Sequence, residues 1–110
     1  MTNPSDLLAG LPGEALVRQG LVDFESGQET IPAFLVGMAR TRLRRAGVLA
    51  VSVDRTMPEA ELGLYRLLRQ QGGDAYSRFN ALVRKLVSFE RALDSRLARR
   101  SRAIESPPLD

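Results

Sequence analysis

Cysteine, histidine and tryptophan are all absent from this chain of 110 residues. Without cysteine no disulfide can form, and nothing in the composition points to secretion. Without histidine and cysteine, the commonest general base, the usual zinc ligands and the thiol nucleophile are missing. We therefore expect a protein that is not an enzyme, with no catalytic residues, no cofactor, no metal and no small-molecule substrate.

Long apolar runs are missing as well. No segment approaches the roughly 18 apolar residues that cross a bilayer, and residues 1–10 lack the basic and apolar segments of a signal peptide. The sequence thus predicts a cytoplasmic protein without a membrane partner. Its length predicts one helical domain, placed at residues 1–103, followed by a flexible tail at 104–110 that contains Pro107 and Pro108.

Lysine is nearly absent: Lys85 is the only lysine among 16 basic residues. The charges are also unevenly distributed along the chain. Residues 1–29 carry one arginine and five acidic residues, a net charge of −4. Residues 78–102 carry eight basic and two acidic residues, a net charge of +6. Such ends can attract within one chain or between two copies, or the basic end can bind an acidic partner.

Apolar residues recur at helical spacing in four segments that are bounded by helix-starting and helix-ending residues. The sequence predicts an all-α fold, an irregular four-helix domain with one long C-terminal amphipathic helix. Thr30 and Asp74 are expected to cap the second and fourth helices, and Gly27, Gly47 and Gly72 to end the first three. A capping box at Thr56–Glu59 precedes the third. The predicted helices are 14–26, 30–46, a third ending near Gln71, and 74–102.

Residues 48–53 alternate between apolar and polar positions, which is the period of a strand. No second strand is visible in the sequence, and a lone strand leaves its backbone groups unpaired. We expect an extended connector that lies over the helices. Pairing of this segment with its own copy across a dimer is the open alternative.

The fourth helix carries an apolar stripe at 3-4 spacing, as in a heptad repeat. The stripe, called the heptad stripe below, consists of Tyr76, Phe79, Val83, Leu86, Glu90, Leu93 and Leu97. Leu82, Val87 and Phe89 widen it in the middle, so the first half is predicted to be core. The second half extends past what three short helices can cover, and an uncovered apolar stripe usually marks an interface. We predict a homodimer interface at Phe89, Glu90, Leu93 and Leu97, in parallel or antiparallel pairing.

The opposite face of this helix is basic and consists of Arg84, Lys85, Arg91, Arg99 and Arg102. The third helix, a short turn and the fourth helix have the outline of a helix-turn-helix, and the arginines are suited to phosphate contact. However, the fourth helix is long and its middle is apolar, which is unlike a recognition helix. The basic face also lacks interleaved aromatic residues, which disfavours stacking on single strands.

Glu90 and Asp94 are four residues apart and share a helix face. Paired carboxylates can hold a hard cation or divide acid and base work, but no second carboxylate motif is present on another helix. Ion pairing is therefore the favoured interpretation, of Asp94 with Arg91 and of Glu90 with a partner arginine. The sequence as a whole predicts a non-enzymatic protein–protein interaction module, homodimeric through the C-terminal helix, that acts as an adaptor or as an antitoxin-like neutralising partner of another protein. The alternative is a small DNA- or RNA-binding regulator that uses the arginine-rich face.

Overall fold

The computed structural model describes residues 7–49 and 59–105. Within these ranges the chain forms five helices and no strand, so the predicted all-α class is confirmed. One cluster of buried apolar residues forms the core and draws on every helix. The helices are α1 (Glu14–Glu25), α2 (Ile31–Met38), α3 (Arg40–Arg45), α4 (Ala60–Gln71) and α5 (Ala75–Glu105).

The helix predicted over residues 30–46 is divided in two at Ala39. Its backbone (φ −97°, ψ 12°) leaves the helical region, and its N–H is shared between the carbonyls of Leu35 and Val36. Gly37 in the preceding turn weakens the helix at this point. The two parts are buried differently: α2 buries four consecutive residues, 33–36, whereas α3 buries only Leu43. The break lets α2 lie inside the core and turns the arginine-rich α3 toward the surface.

Two glycines allow the short helices to approach each other closely. A Cβ at Gly20 of α1 would lie 2.3 Å from the carbonyl oxygen of Pro32 in α2. A Cβ at Gly63 of α4 would lie 2.5 Å from the ring of Phe34, again in α2. Helix α2 is thus held between α1 and α4, at separations that a side chain at either glycine would not permit.

The ends of α1, α2 and α3 follow the predicted capping residues. Gly27 and Gly47 have positive φ values, and in both places the next residue donates to a carbonyl five residues back, which is the Schellman motif. Thr30 caps α2 by accepting a hydrogen bond from the N–H of Ala33 at 3.2 Å. Its hydroxyl also donates to the buried carboxylate of Asp23 at 2.7 Å, which ties the end of α1 to the start of α2.

The start of α4 differs from the predicted capping box. Glu59 directly precedes the helix in a left-handed conformation (φ 61°, ψ 35°) and makes no side-chain cap, whereas a capping box requires it in the third helical position. Thr56 lies outside the described residues. Of the ambiguous segment 48–53, the structure describes Val48 and Leu49, whose N–H groups both donate to the carbonyl of Leu43.

The long helix begins and extends much as predicted. Asp74 caps it by accepting the N–H of Ser77 at 3.0 Å and the Ser77 hydroxyl at 2.8 Å. These hydrogen bonds hold the pKa of Asp74 below its usual value, the backbone bond being the larger cause. The 31 residues of α5 span about 46 Å at 1.5 Å per residue. The helix includes residues 104 and 105 of the predicted tail, and residues 106–110 lie outside the described ranges.

Candidate functional site

The heptad stripe of α5 is divided between the core and the surface. Its members Leu86 and Leu93 are buried, and Phe79 packs partly buried against the core. The alternate members lie on one flank of the helix, where Tyr76 is 67% exposed. The buried face is completed by Ala75, Leu82 and Phe89, each one residue before an alternate stripe position. The buried face thus keeps every second position of the predicted stripe and exchanges the others for the residue before. Consecutive residues differ by about 100° around a helix, so the buried face is rotated by roughly half that angle from the predicted one.

The stripe residues from Glu90 to Leu97 lie against the rest of the chain, which corrects the expectation that this part of the stripe remains uncovered. Two of the four predicted interface residues, Phe89 and Leu93, have no exposed surface. The N-terminal residues supply much of the cover, because Arg96 donates hydrogen bonds to the carbonyls of Leu7 at 2.9 Å and Ala9 at 2.7 Å. Leu7, Leu8 and Leu11 join the same core. Sequence analysis missed this cover because the segment is too short to display a helical period.

The other two predicted interface residues, Glu90 and Leu97, are partly buried on the flank of α5. Arg42 of α3 forms an ion pair with Glu90, with 3.1 Å between Nε and Oε2, and a second ion pair with Asp94. Both carboxylates are thus paired with arginine as expected, but the partner of each is Arg42 of α3, and Asp94 is not paired with Arg91. Among the described residues there is no group of three or more acidic side chains that would hold a metal ion.

Two stripe residues, Tyr76 and Phe79, border a groove of about 740 Å³ at the N-terminal end of α5. Its floor includes Tyr65 and Phe79, whose rings meet edge to face with 5.8 Å between centroids. Leu62 is 42% exposed at its border, across from Tyr76. The lining residues of this groove, called the α4–α5 groove below, are Gly37, Met38, Glu59, Ala60, Glu61, Leu62, Tyr65, Tyr76, Phe79 and Asn80.

A second depression of about 400 Å³ continues along the same flank of α5. Met38 borders both, so the two depressions are adjacent, and we treat them together as one channel between α5 and the shorter helices. The charges at the two ends differ. The charged residues that line the α4–α5 groove are Glu59 and Glu61, whereas Arg45 is exposed at the second depression, beside Arg42 and its two paired carboxylates. We call this channel the flank channel.

The predicted basic face is found on the opposite side of α5. Arg84, Lys85, Arg91 and Arg99 are exposed, and none of them forms an ion pair or a side-chain hydrogen bond with another residue in the described ranges. Arg102 lies further along the same helix. The flank channel and the basic face are therefore two separate surfaces of α5.

No protein-family model matches the chain, and no curated protein or solved structure is significantly similar to it. In the described ranges, every helix is too short or too polar to cross a bilayer. The interpretation of the two surfaces accordingly depends on their geometry and charge.

Proposed function

We propose that the protein is a non-enzymatic helical interaction module that forms a homodimer through the flank channel. The observation that supports it is the exposure of Tyr76 and Leu62 beside an apolar groove. A large exposed apolar group next to a concave apolar surface is typical of an interface, and aromatic residues are favoured there. Because Phe89 and Leu93 belong to the core, the proposed contact lies on the flank of α5 and retains Glu90 and Leu97 from the predicted interface.

Antiparallel pairing of two α5 helices uses this flank on both copies. When Tyr76 of one copy lies opposite Leu97 of the other, Val83 lies opposite Glu90, and the two-fold axis passes beside Val87. Val87 is 37% exposed, so it is available at the axis. A two-fold interface is self-complementary, and each contact away from the axis occurs twice.

The charges along the flank channel favour the same arrangement. Antiparallel pairing brings the α4–α5 groove of one copy, with Glu59 and Glu61, to the end of the channel where the other copy carries Arg45. Parallel pairing would instead place the acidic grooves of the two copies against each other, and Arg45 of one copy would face Arg45 of the other. Opposite charges at the border of an interface direct its orientation more than they strengthen it.

Light scattering coupled to size exclusion tests the dimer. At about 50 μM we expect a mass about twice the 12.1 kDa of one chain. Tyr76→Glu should raise the dissociation constant at least tenfold, because the aromatic contact is lost and a carboxylate is buried opposite the apolar Leu97. A tenfold change corresponds to about 1.4 kcal/mol.

Val22→Glu is the matched control for this variant. Val22 is 59% exposed on α1 and does not line the flank channel. The control should remain dimeric. A monomeric wild-type protein, or equal dissociation of both variants, contradicts the proposed interface. Circular dichroism at 222 nm verifies that both variants keep their helices.

The wider role that we propose is that of an adaptor or of a small partner that neutralises another protein in the cytoplasm, as bacterial antitoxins do. The support for this role is the small size, the helical fold and the absence of cysteine and histidine from the chain. Co-purification of the tagged protein from its native cells would test it. A specific partner that the Tyr76→Glu variant loses supports the role, whereas purification of the protein without any partner contradicts it.

A further inference from the structure

The basic face of α5 is a straight row of cations on one side of a single helix. At about 100° per residue, Arg84, Arg91 and Arg99 fall within roughly 80° of arc, with Lys85 adjacent. From residue 84 to 99 the row extends about 22 Å along the helix. Ser88 and Ser95 lie between the cations and are exposed, so they add hydroxyl donors to the row.

The nearby carboxylates of α5 do not neutralise this row. Glu90 and Asp94 are on the flank of the helix and are engaged by Arg42 of α3. The apolar side of α5 is turned to the core, with Leu86, Phe89 and Leu93 buried. The fold thus separates the charges: Glu90 and Asp94 are paired on the flank, whereas Arg84, Lys85, Arg91 and Arg99 remain exposed to solvent.

We propose that this face binds the phosphate backbone of duplex DNA without reading its sequence. The proposal rests on the exposed row and does not require a dimer. Arg84 and Arg91 lie within one turn of Val87, which the proposed dimer places at its axis, so dimerisation and DNA binding are measured separately on each variant. Duplex DNA carries one charge per about 1.7 Å of axis and offers regularly spaced phosphates to a rigid row of cations. Arginine is suited to this contact because its guanidinium donates hydrogen bonds in a fork that matches phosphate.

The composition of the face selects a duplex over a single strand. Binding of single strands relies on aromatic side chains that stack on the bases. The aromatic residues of α5 are elsewhere: Phe89 is buried, and Tyr76 and Phe79 line the α4–α5 groove. A face made of cations and serine hydroxyls contacts phosphates and leaves the bases unread.

Fluorescence anisotropy with a labelled duplex of about 24 base pairs tests the proposal. If all four cations contact phosphates, the logarithm of the association constant should fall with the logarithm of salt concentration at a slope of about −3.6 for one basic face. That slope corresponds to a loss of about 150-fold in affinity between 50 and 200 mM salt. A dimer that engages both of its basic faces would give a steeper slope.

The double variant Arg84→Glu with Arg91→Glu removes two of the four contacts. Its slope should fall to about −1.8 per face, with at least a tenfold loss of affinity at 50 mM salt. The control is Arg66→Glu with Arg69→Glu on α4, where both arginines are exposed and outside the basic face. It changes the net charge by the same amount and should bind like the wild type after allowance for the long-range effect of charge.

Three results would overturn the proposal. One is no binding to the duplex at 50 mM salt, where phosphate contacts are strongest. Another is an equal loss of affinity in the α4 and α5 double variants, which would assign the effect to net charge. The third is stronger binding to vesicles containing phosphatidylserine, or to a single strand of the same length, than to the duplex. Dimerisation is measured separately by light scattering, so failure of the dimer and failure of DNA binding are distinguishable.

Discussion

Replacement of Leu93 by alanine distinguishes a core residue from an interface residue on the second half of α5. Leu93 is fully buried within one chain. Truncation of a fully buried leucine costs 2–5 kcal/mol, through the lost burial and the cavity that remains. We expect a decrease of about 3 kcal/mol in the free energy of unfolding. For a domain of this length, that value corresponds to a melting temperature lower by about 13 °C.

Urea denaturation followed by circular dichroism at 222 nm provides the assay, with the protein at 2 and at 100 μM. Because Leu93 belongs to the core of each chain, the difference between wild type and Leu93→Ala should be the same at both concentrations. Val22→Ala removes apolar atoms from an exposed site of α1 and should change stability by less than about 0.5 kcal/mol. A loss below about 1 kcal/mol for Leu93→Ala at 2 μM, or one that depends on concentration, would refute this position for Leu93.

Two further predictions concern the contacts that hold the helices together. Gly20→Ala should lower the free energy of unfolding by about 1–3 kcal/mol, because its Cβ would overlap the backbone of Pro32, and an unchanged urea midpoint would contradict this close approach. The lowered pKa of Asp74 implies a contribution to stability that is present above the unfolded pKa and is lost as pH falls through the lower folded value. Asp74→Asn keeps the cap without the charge, so it should show a smaller loss of helicity between pH 5 and pH 2 than the wild type, and identical pH profiles would be inconsistent with the carboxylate cap.

The sequence was sufficient to predict features that depend on neighbouring residues. Gly27 and Gly47 end their helices and Thr30 and Asp74 begin theirs, because capping is decided within one turn of the chain. The break at Ala39 was not predicted. Gly37 weakens the helix locally, but the two parts also differ in their tertiary surroundings, since α2 buries residues 33–36 whereas α3 buries only Leu43.

The rotation of α5 could not be decided from its sequence. An apolar stripe with 3-4 spacing can contain Tyr76 and Val83, or it can contain the residues before them, Ala75 and Leu82. Leu86 and the positions seven residues from it belong to both stripes. What selects between them is the rest of the molecule, including the ion pairs of Arg42 with Glu90 and the N-terminal cover over the second half of the helix. Residues so far apart in the chain leave no pattern in a single sequence.

The exposure of the basic face could be expected from the sequence, because a row of charged side chains has no place in an apolar core. Arg84, Lys85, Arg91 and Arg99 are all exposed. Arg96 of the same helix differs, because it is partly buried and donates hydrogen bonds to backbone carbonyls of the N-terminal segment. The sequence alone does not distinguish an arginine that stabilises the fold from one that is exposed to solvent.

The distance between two labels on α5 tests the proposed dimer most directly. The chain contains no cysteine, so Ser101→Cys accepts a single nitroxide label at an exposed position near the C-terminal end of the described side chains. In the antiparallel dimer with its axis beside Val87, the two labels are separated by about 44 Å along the helices. Pulsed dipolar spectroscopy should give a distance of about 45 Å. A distance below about 25 Å would indicate parallel pairing or contact through the C-terminal half, and the absence of a dipolar signal at 100 μM would contradict the dimer itself.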